Sequence, residues 1–347
     1  MDDEAYARDR GSIPLPKWLK VLDDEYLREY LRDGGAAVKV ISGDDDALAR
    51  AVEGIRERAE SADYHVAILN PDAPAPRAGA ATSLHRQDHF LFQITASVDW
   101  NKVAERQAER FLKDEGLRIE PGYDLGDYWR IAQENGRSPD DLINQYERSL
   151  TNRLLNDREM ALEFRAAVLA PARGTLLPEK QIPNTKEAVI AWLCGLPLQG
   201  CLPLLRKIQV YEKINQSNAK YILQSLCRWL PNAGKSGLVA VLDLRPYTRI
   251  VAPAATRQAA MDGKALPKQY PKRAYWQMLE LIRDFIDSTD RFQHFLLVIL
   301  TSPDYYAPES KRRYTDYEAL KTRIGIEVYD PTRANPAAAL VHLGGEE

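Results

Sequence analysis

The stretch GGAAVKVISGDDDALARAVEGIRERAESADYHVAILNP, residues 34–71, decides how the chain is read. Val38 to Ile41 is a short β-rich run after Gly34-Gly35. Ser42-Gly43-Asp44-Asp45-Asp46 follows, and then a helical pattern to about residue 60. Ala47, Leu48, Ala51, Val52 and Ile55 fall at helical spacing and form its apolar stripe. Tyr64 to Leu69 is a second β-run, closed by Asn70-Pro71. Strand, turn, helix and strand in that order predict parallel α/β architecture.

Outward from this unit, residues 71–80 are a Pro/Ala/Gly loop, and 84 to 230 reads as almost all helical. Ser138-Pro139-Asp140-Asp141 has the form of a helix start, while the prolines at 171–183 and 197–203 read as breaks. Strand signals return at Gly237 to Asp243 and at Phe295 to Leu300, with a last one expected at Ile324 to Tyr329. Between them, Ala274 to Asp287 is an amphipathic helix with Tyr275, Met278, Leu279, Ile282, Phe285 and Ile286 on one side. The expectation is an α/β core with a mainly parallel sheet, split by a large helical insertion. The divisions read are an N-terminal helical segment 1–33, first core part 34–100, insertion 101–220 and second core part 221–347.

Composition narrows the function classes. No apolar run nears the roughly 20 residues that span a bilayer, and MDDEAYARDR is too acidic and polar for a secretory signal. The expected location is the cytoplasm. Three cysteines, Cys194, Cys201 and Cys227, without a CxxC pair, argue against both a disulfide framework and zinc. His85 and His89 would share a helix face, but HRQDH lacks the glutamate of HExxH and a third ligand. Net charge is only −3. Residues 1–76 carry 17 acids against 10 bases and 237–315 carry 12 bases against 8 acids, too mild an asymmetry to make a nucleic-acid binder by itself.

The turn after Val38–Ile41 stands where a P-loop would stand. A P-loop, GxxxxGK[ST], wraps phosphates with backbone N–H groups, reaches them with its lysine and binds Mg²⁺ with its hydroxyl. In register, only Gly43 is kept: Leu48 replaces the second glycine, Ala49 the lysine and Arg50 the hydroxyl residue. Three aspartates in the loop would repel a triphosphate. The plain alternative is a helix N-terminus with favourable acids. Gly234-Lys235-Ser236 spells GKS but precedes a strand, the wrong context. LVAVLDL, 238–244, resembles a Walker-B strand, with Asp243 as the Mg²⁺-side acid and Leu244 where a catalytic glutamate belongs. Its plain alternative is a buried strand ending in a surface acid.

Several segments resemble the BREX-system ATP-binding proteins of the BrxD type. They are residues 30–69, IAWLCG at 190–195, YILQSLCRWLPNAGKSGLVAVLDLR at 221–245, FLLVILTSPDYY at 295–306 and YEALKTRI at 317–324. Their order, more than any one of them, carries the resemblance, which covers most of 26–330 apart from a divergent stretch at 100–160. It implies an AAA-like P-loop NTPase core and a role in phage defence beside other subunits; the candidate partners are other defence-system proteins, an active ATPase subunit among the candidates, and DNA. The departures at Ala49, Arg50 and Leu244 point to a non-hydrolysing member, without a cofactor beyond a vestigial ATP/Mg²⁺ site at Gly43 and Asp243. Arg312, Arg313 and Arg323, just past the sensor-like strand, are candidate partner or phosphate contacts; Arg323 would otherwise pair with an acid such as Glu327. DGKALPKQYPKRAYW, 262–276, offers Lys264, Lys268, Lys272 and Arg273 among Tyr270, Tyr275 and Trp276 as a nucleic-acid candidate, against a solvated loop whose rings pack inward. An active ATPase with an atypical site, and a stand-alone DNA-binding or transcriptional regulator, remain the alternatives.

Overall fold

A computed structural model describes residues 12–73, 83–120, 122–250, 261, 269–307, 310–324 and 335–344. The chain divides into two compact units. One comprises Met1–Pro74, Thr82–Arg86 and Gly237–Glu347; the other comprises Ala75–Ala81 and Gln87–Ser236.

The first unit is built on a six-stranded sheet: β1 (Ile13–Pro14), β2 (Ala36–Ser42), β3 (Tyr64–Leu69), β4 (Gly237–Asp243), β5 (Phe295–Thr301) and β6 (Leu340–Gly344). Its order is β1-β6-β2-β5-β4-β3, and every pairing is parallel. The four expected strands therefore lie in one parallel sheet, with β5 between β2 and β4. All seven residues of β4 and of β5 are buried, which is why they read as unbroken apolar runs.

Helices close the sheet's faces. α1 (Leu15–Val21) runs on into a more widely wound stretch, Leu22–Tyr30, closed by the Leu31 N–H donating to the Tyr26 carbonyl at 2.9 Å. α2 (Asp45–Ser61) buries Ala47, Leu48, Ala51, Gly54, Ile55 and Ala59. Each fully buried Leu or Ile of such a stripe stabilises by roughly 1.5–3 kcal/mol. Gly54 lets α1 approach: a Cβ there would meet Leu19 Cδ1 at 2.5 Å. Tyr64, at the head of β3, is buried with its hydroxyl donating to the Leu27 carbonyl at 2.8 Å.

The second unit is helical, inserted between β3 and β4. It runs through α3 (Gln87–Ser97), α4 (Trp100–Asp114), α5 (Tyr128–Glu134), α6 (Pro139–Leu150), α7 (Leu162–Leu176), α8 (Thr185–Leu193), α9 (Leu202–Lys207) and α10 (Ala219–Trp229). Trp100 stacks on Trp229 at 6.0 Å, and Phe164 meets Trp229 edge-on. Tyr146 is buried and donates to the Ala172 carbonyl at 2.6 Å. Ser138 does precede α6, with Pro139 in its first turn, although its hydroxyl makes no capping hydrogen bond.

Two expectations need correction. Pro171 does not break a helix but lies buried inside α7, where packing outweighs the lost N–H. Ile324 does not open a strand: it ends the helix Glu318–Ile324, and 325–329 lie outside the described residues. The last strand is instead β6, which sits between β1 and β2.

Candidate functional site

In an open parallel sheet, ligands bind beyond the carboxyl ends of the strands, where loops diverge to opposite faces. Here that edge carries Gly43 after β2, Asn70 after β3, Asp243 at the end of β4 and Ser302 after β5.

The loop after β2 is two residues long. Ser42 ends the strand, and α2 starts at Asp45. Asp44 caps the helix, its Oδ1 accepting from the Ala47 N–H at 2.7 Å. Asp45 and Asp46 occupy the first turn. A P-loop holds several residues open between strand and helix so that successive N–H groups face phosphate. Here those positions are helix already. Leu48, in the place of the second glycine, is wholly buried in the core, and Ala49 and Arg50 lie exposed along α2. The positive end of the helix is already neutralised by carboxylates of its own chain. Gly43 needs no special backbone: its φ is not positive.

The end of β4 is different. Asp243 is buried, and both its oxygens are taken. Arg245 Nε donates to Oδ1 at 2.9 Å and Nη2 to Oδ2 at 2.8 Å, while the Arg245 backbone N–H donates to Oδ1 at 3.0 Å. The remaining Nη1 reaches Asp45 Oδ1. The bond to Asp243, first of all, raises the Arg245 pKa above its ordinary value. Leu244 is buried, its N–H donating to the Leu300 carbonyl at 2.9 Å, so no water-activating group follows the acid.

These groups line a cleft of about 390 Å³ with Asn70, Asp72, Arg249, Ser302 and Asp304. It holds four aspartates (45, 72, 243 and 304) against two arginines, and Arg249 is itself paired with Asp72 at 3.0 Å. A Mg²⁺-nucleotide does not fit this set: the phosphate cradle is closed, and Asp243 already faces a cation.

The chain belongs to the BREX-system ATP-binding protein BrxC/D family. The family's model matches residues 129–345, more than half of the chain. The match takes in β4, Asp243, Arg245 and the three candidate arginines, and begins beyond the Gly43 turn. No curated protein and no solved structure matches the chain. The sheet and the family agree on a P-loop-type α/β core.

Within this BrxC/D-family chain the other candidates are scattered. Arg312 is buried, 8% exposed, and donates to the Tyr247 and Tyr270 carbonyls at 2.5 and 2.7 Å. Burial lowers its pKa. It is therefore an internal brace rather than a surface contact. Arg313 pairs with Asp316 at 2.8 Å. Arg323 forks onto both oxygens of Asp287; Glu327, the other acid considered for it, lies outside the described residues. Lys272 and Arg273 are exposed at the head of α12, the helix Lys272–Asp287 that follows the short α11 (Arg245–Thr248). Lys264 and Lys268 lie outside the described residues. Tyr270 and Tyr275 pack inward, at 4% and 1% exposure, and Trp276 rests edge-on against Tyr317. His85 precedes α3 rather than lying on it, and its Nδ1 meets the Tyr247 hydroxyl at 3.0 Å. Among the described residues no group of three or more His, Cys, Asp and Glu could hold a metal, and no helix is long and apolar enough to cross a membrane.

Sequence reasoning missed Arg245, the centre of the site. The sequence shows only an arginine two residues past the strand-end acid, and nothing in that spacing announces the fork.

Proposed function

We propose that this chain is a non-hydrolysing subunit of a BREX-type anti-phage system, in which the P-loop-type sheet serves as a scaffold for protein partners. The observation that carries the reading is the loop after β2: two residues, capped by Asp44, with three acids at the helix head. Without the P-loop lysine, charge on the γ-phosphate is not neutralised. Without a group at Leu244, water is not positioned. Loss of one such stabilising group typically costs about 10²–10³-fold in rate, so loss of both removes turnover. Purified chain given ATP and Mg²⁺ is expected to release no phosphate above background, and Asp243→Ala to change nothing. Hydrolysis abolished by Asp243→Ala would refute the reading.

Family membership supports partners from the same system; the reading adds an intact ATPase as the partner to test first. Arg313 and Arg323 remain the partner-side candidates, since an arginine can complete a neighbour's site in trans. Each would first have to leave Asp316 or Asp287. Mixing the chain with that ATPase, with and without Arg323→Ala, tests this. No association ends the docking idea. Association with turnover untouched by Arg313→Ala and Arg323→Ala leaves a scaffold. DNA is the weaker partner, because Tyr270 and Tyr275 are not free to stack bases.

A further inference from the structure

The family description speaks of ATP, and ATP chemistry calls for a divalent cation beside the acid that ends β4. The residues present do not fit one, and the way they fail is specific. Asp243 is not merely isolated; its carboxylate is clasped by a side chain two residues away. Arg245 covers both oxygens of Asp243 through Nε and Nη2 and extends Nη1 to Asp45, the first residue of α2. A cation bridging the head of α2 and the end of β4 would need these same two carboxylates. The Asp243 side chain is only 10% exposed, and each of its oxygens already accepts from Arg245.

We propose that Arg245 is a built-in counter-cation that takes the place of a divalent metal and keeps the Asp45–Asp243 pair from binding one. The proposal rests on the reading above that this crevice does not process nucleotide, and adds what keeps it closed. Geometry favours this role over that of an ordinary surface ion pair. A surface pair joins two mobile side chains at one contact. Arg245 makes a planar fork to a buried carboxylate and a further bond to a residue 200 positions away in sequence. A guanidinium does not deprotonate in proteins, so the block holds across the working pH range. A lysine could supply the charge but not the fork.

The probe is Mn²⁺, titrated into the full-length chain and followed by water-proton relaxation and calorimetry. Wild type is expected to show no saturable site. Arg245→Met should gain binding at least about tenfold tighter than wild type, since two carboxylates and water then suffice for a hard divalent ion. Asp243→Asn added to Arg245→Met should abolish the gain. Arg245→Lys, which keeps the charge, should gain less. A folded Arg245→Met chain that binds no better than wild type overturns the proposal, as does a wild-type site that Asp243→Asn removes. Should Arg245→Met fail to fold, the wild-type Arg245 Nε–H resonance decides. It is expected to stay in place under excess Mg²⁺; its displacement overturns the proposal. None of these readouts uses ATP turnover. Hydrolysis by the wild type would sink the functional reading while leaving the Mn²⁺ results to judge Arg245 separately.

Discussion

Arg245 and Arg312 both bridge separate segments of the α/β unit, one just past β4 and the other beyond β5, yet they work in opposite surroundings. Arg245 meets carboxylates at the rim of a cleft, its side chain one-quarter exposed. The Arg312 guanidinium donates to backbone carbonyls and lies in the interior, over the Tyr275 ring at 5.8 Å. One settles the charge of a would-be ligand site. The other holds Tyr247 and Tyr270 together, whose rings stack at 4.0 Å. Both looked alike as cations in a string of letters. Only burial and the partner's charge separate a residue that closes a site from one that ties the fold.

The sharpest way to break this contrast is to remove the interior arginine. Arg312→Met removes the guanidinium donor from two buried carbonyls, and each such loss costs about 1–3 kcal/mol. Urea unfolding should show a destabilisation of about 2–4 kcal/mol, unchanged by added salt. A loss below that of Arg245→Met, or one that salt erases, would mean Arg312 is not the interior brace described.

Lys39 is a third cation and sharpens the comparison from the other side. It is 5% exposed on β2, donates to the Ala337 and Ala338 carbonyls and lies 4.5 Å from the Tyr26 ring. Burial lowers its pKa to about 8. The folded pKa lies below the unfolded value, so between the two the unfolded chain binds more protons and stability rises with pH. Below pH 8 the buried charge is a cost that is fully present; above it, the cost is relieved. Relative to Lys39→Met, wild type should gain on the order of 1–2 kcal/mol between pH 8 and pH 10. A flat difference over that window would show that Lys39 titrates normally. Arg312, unable to deprotonate, should show no comparable slope.

Arg245→Met should cost less than Arg312→Met, about 1–2 kcal/mol at low salt: it leaves the buried Asp243 carboxylate without its fork, but Arg245 is itself one-quarter exposed and its second partner, Asp45, is exposed to water and screening. The cost should shrink as ionic strength rises. A salt-independent loss as large as that of Arg312→Met would erase the distinction between rim and interior.

The sequence made the sheet legible and half of the site obscure, for separable reasons. β2 to β5 announce themselves because strands buried on both faces must be apolar throughout. β1, two residues long, and β6, preceded by helix-favouring alanines at 337–339, carry no such signal. Asp243 was legible as a strand-end acid. Its clasp was not, since a motif lists the groups a site needs and is silent on what replaces them. The Asp45 contact is long-range and leaves no local trace. The closed loop after β2 was half legible. Acids ahead of Ala47-Leu48 are a helix-start signal, and that plain reading describes Asp44–Asp46 as they stand. Aligning GDDDALAR on a P-loop assumed a spacing that the cap had already denied.

The smallest effect is expected at Gly43, the one position where the P-loop pattern is kept. A glycine there earns conservation in a working loop because backbone must approach phosphate closely. In this chain the backbone itself does not require glycine. The φ of Gly43 is not positive, so an L side chain is not strained. A Cβ would meet Ala47 Cβ at 3.4 Å, Leu343 Cβ at 3.5 Å and Leu48 Cγ at 3.7 Å, ordinary contact distances. Gly43→Ala should therefore shift stability by less than about 0.5 kcal/mol, with a small gain from reduced freedom of the unfolded chain as the favoured sign. It should also leave association with other proteins of the system intact. Both are measurable on one preparation, by urea melt and by co-purification. If Gly43→Ala leaves the chain folded but abolishes a nucleotide-dependent property, the loop after β2 still approaches a ligand, and the closed-cradle description of this half of the site is wrong.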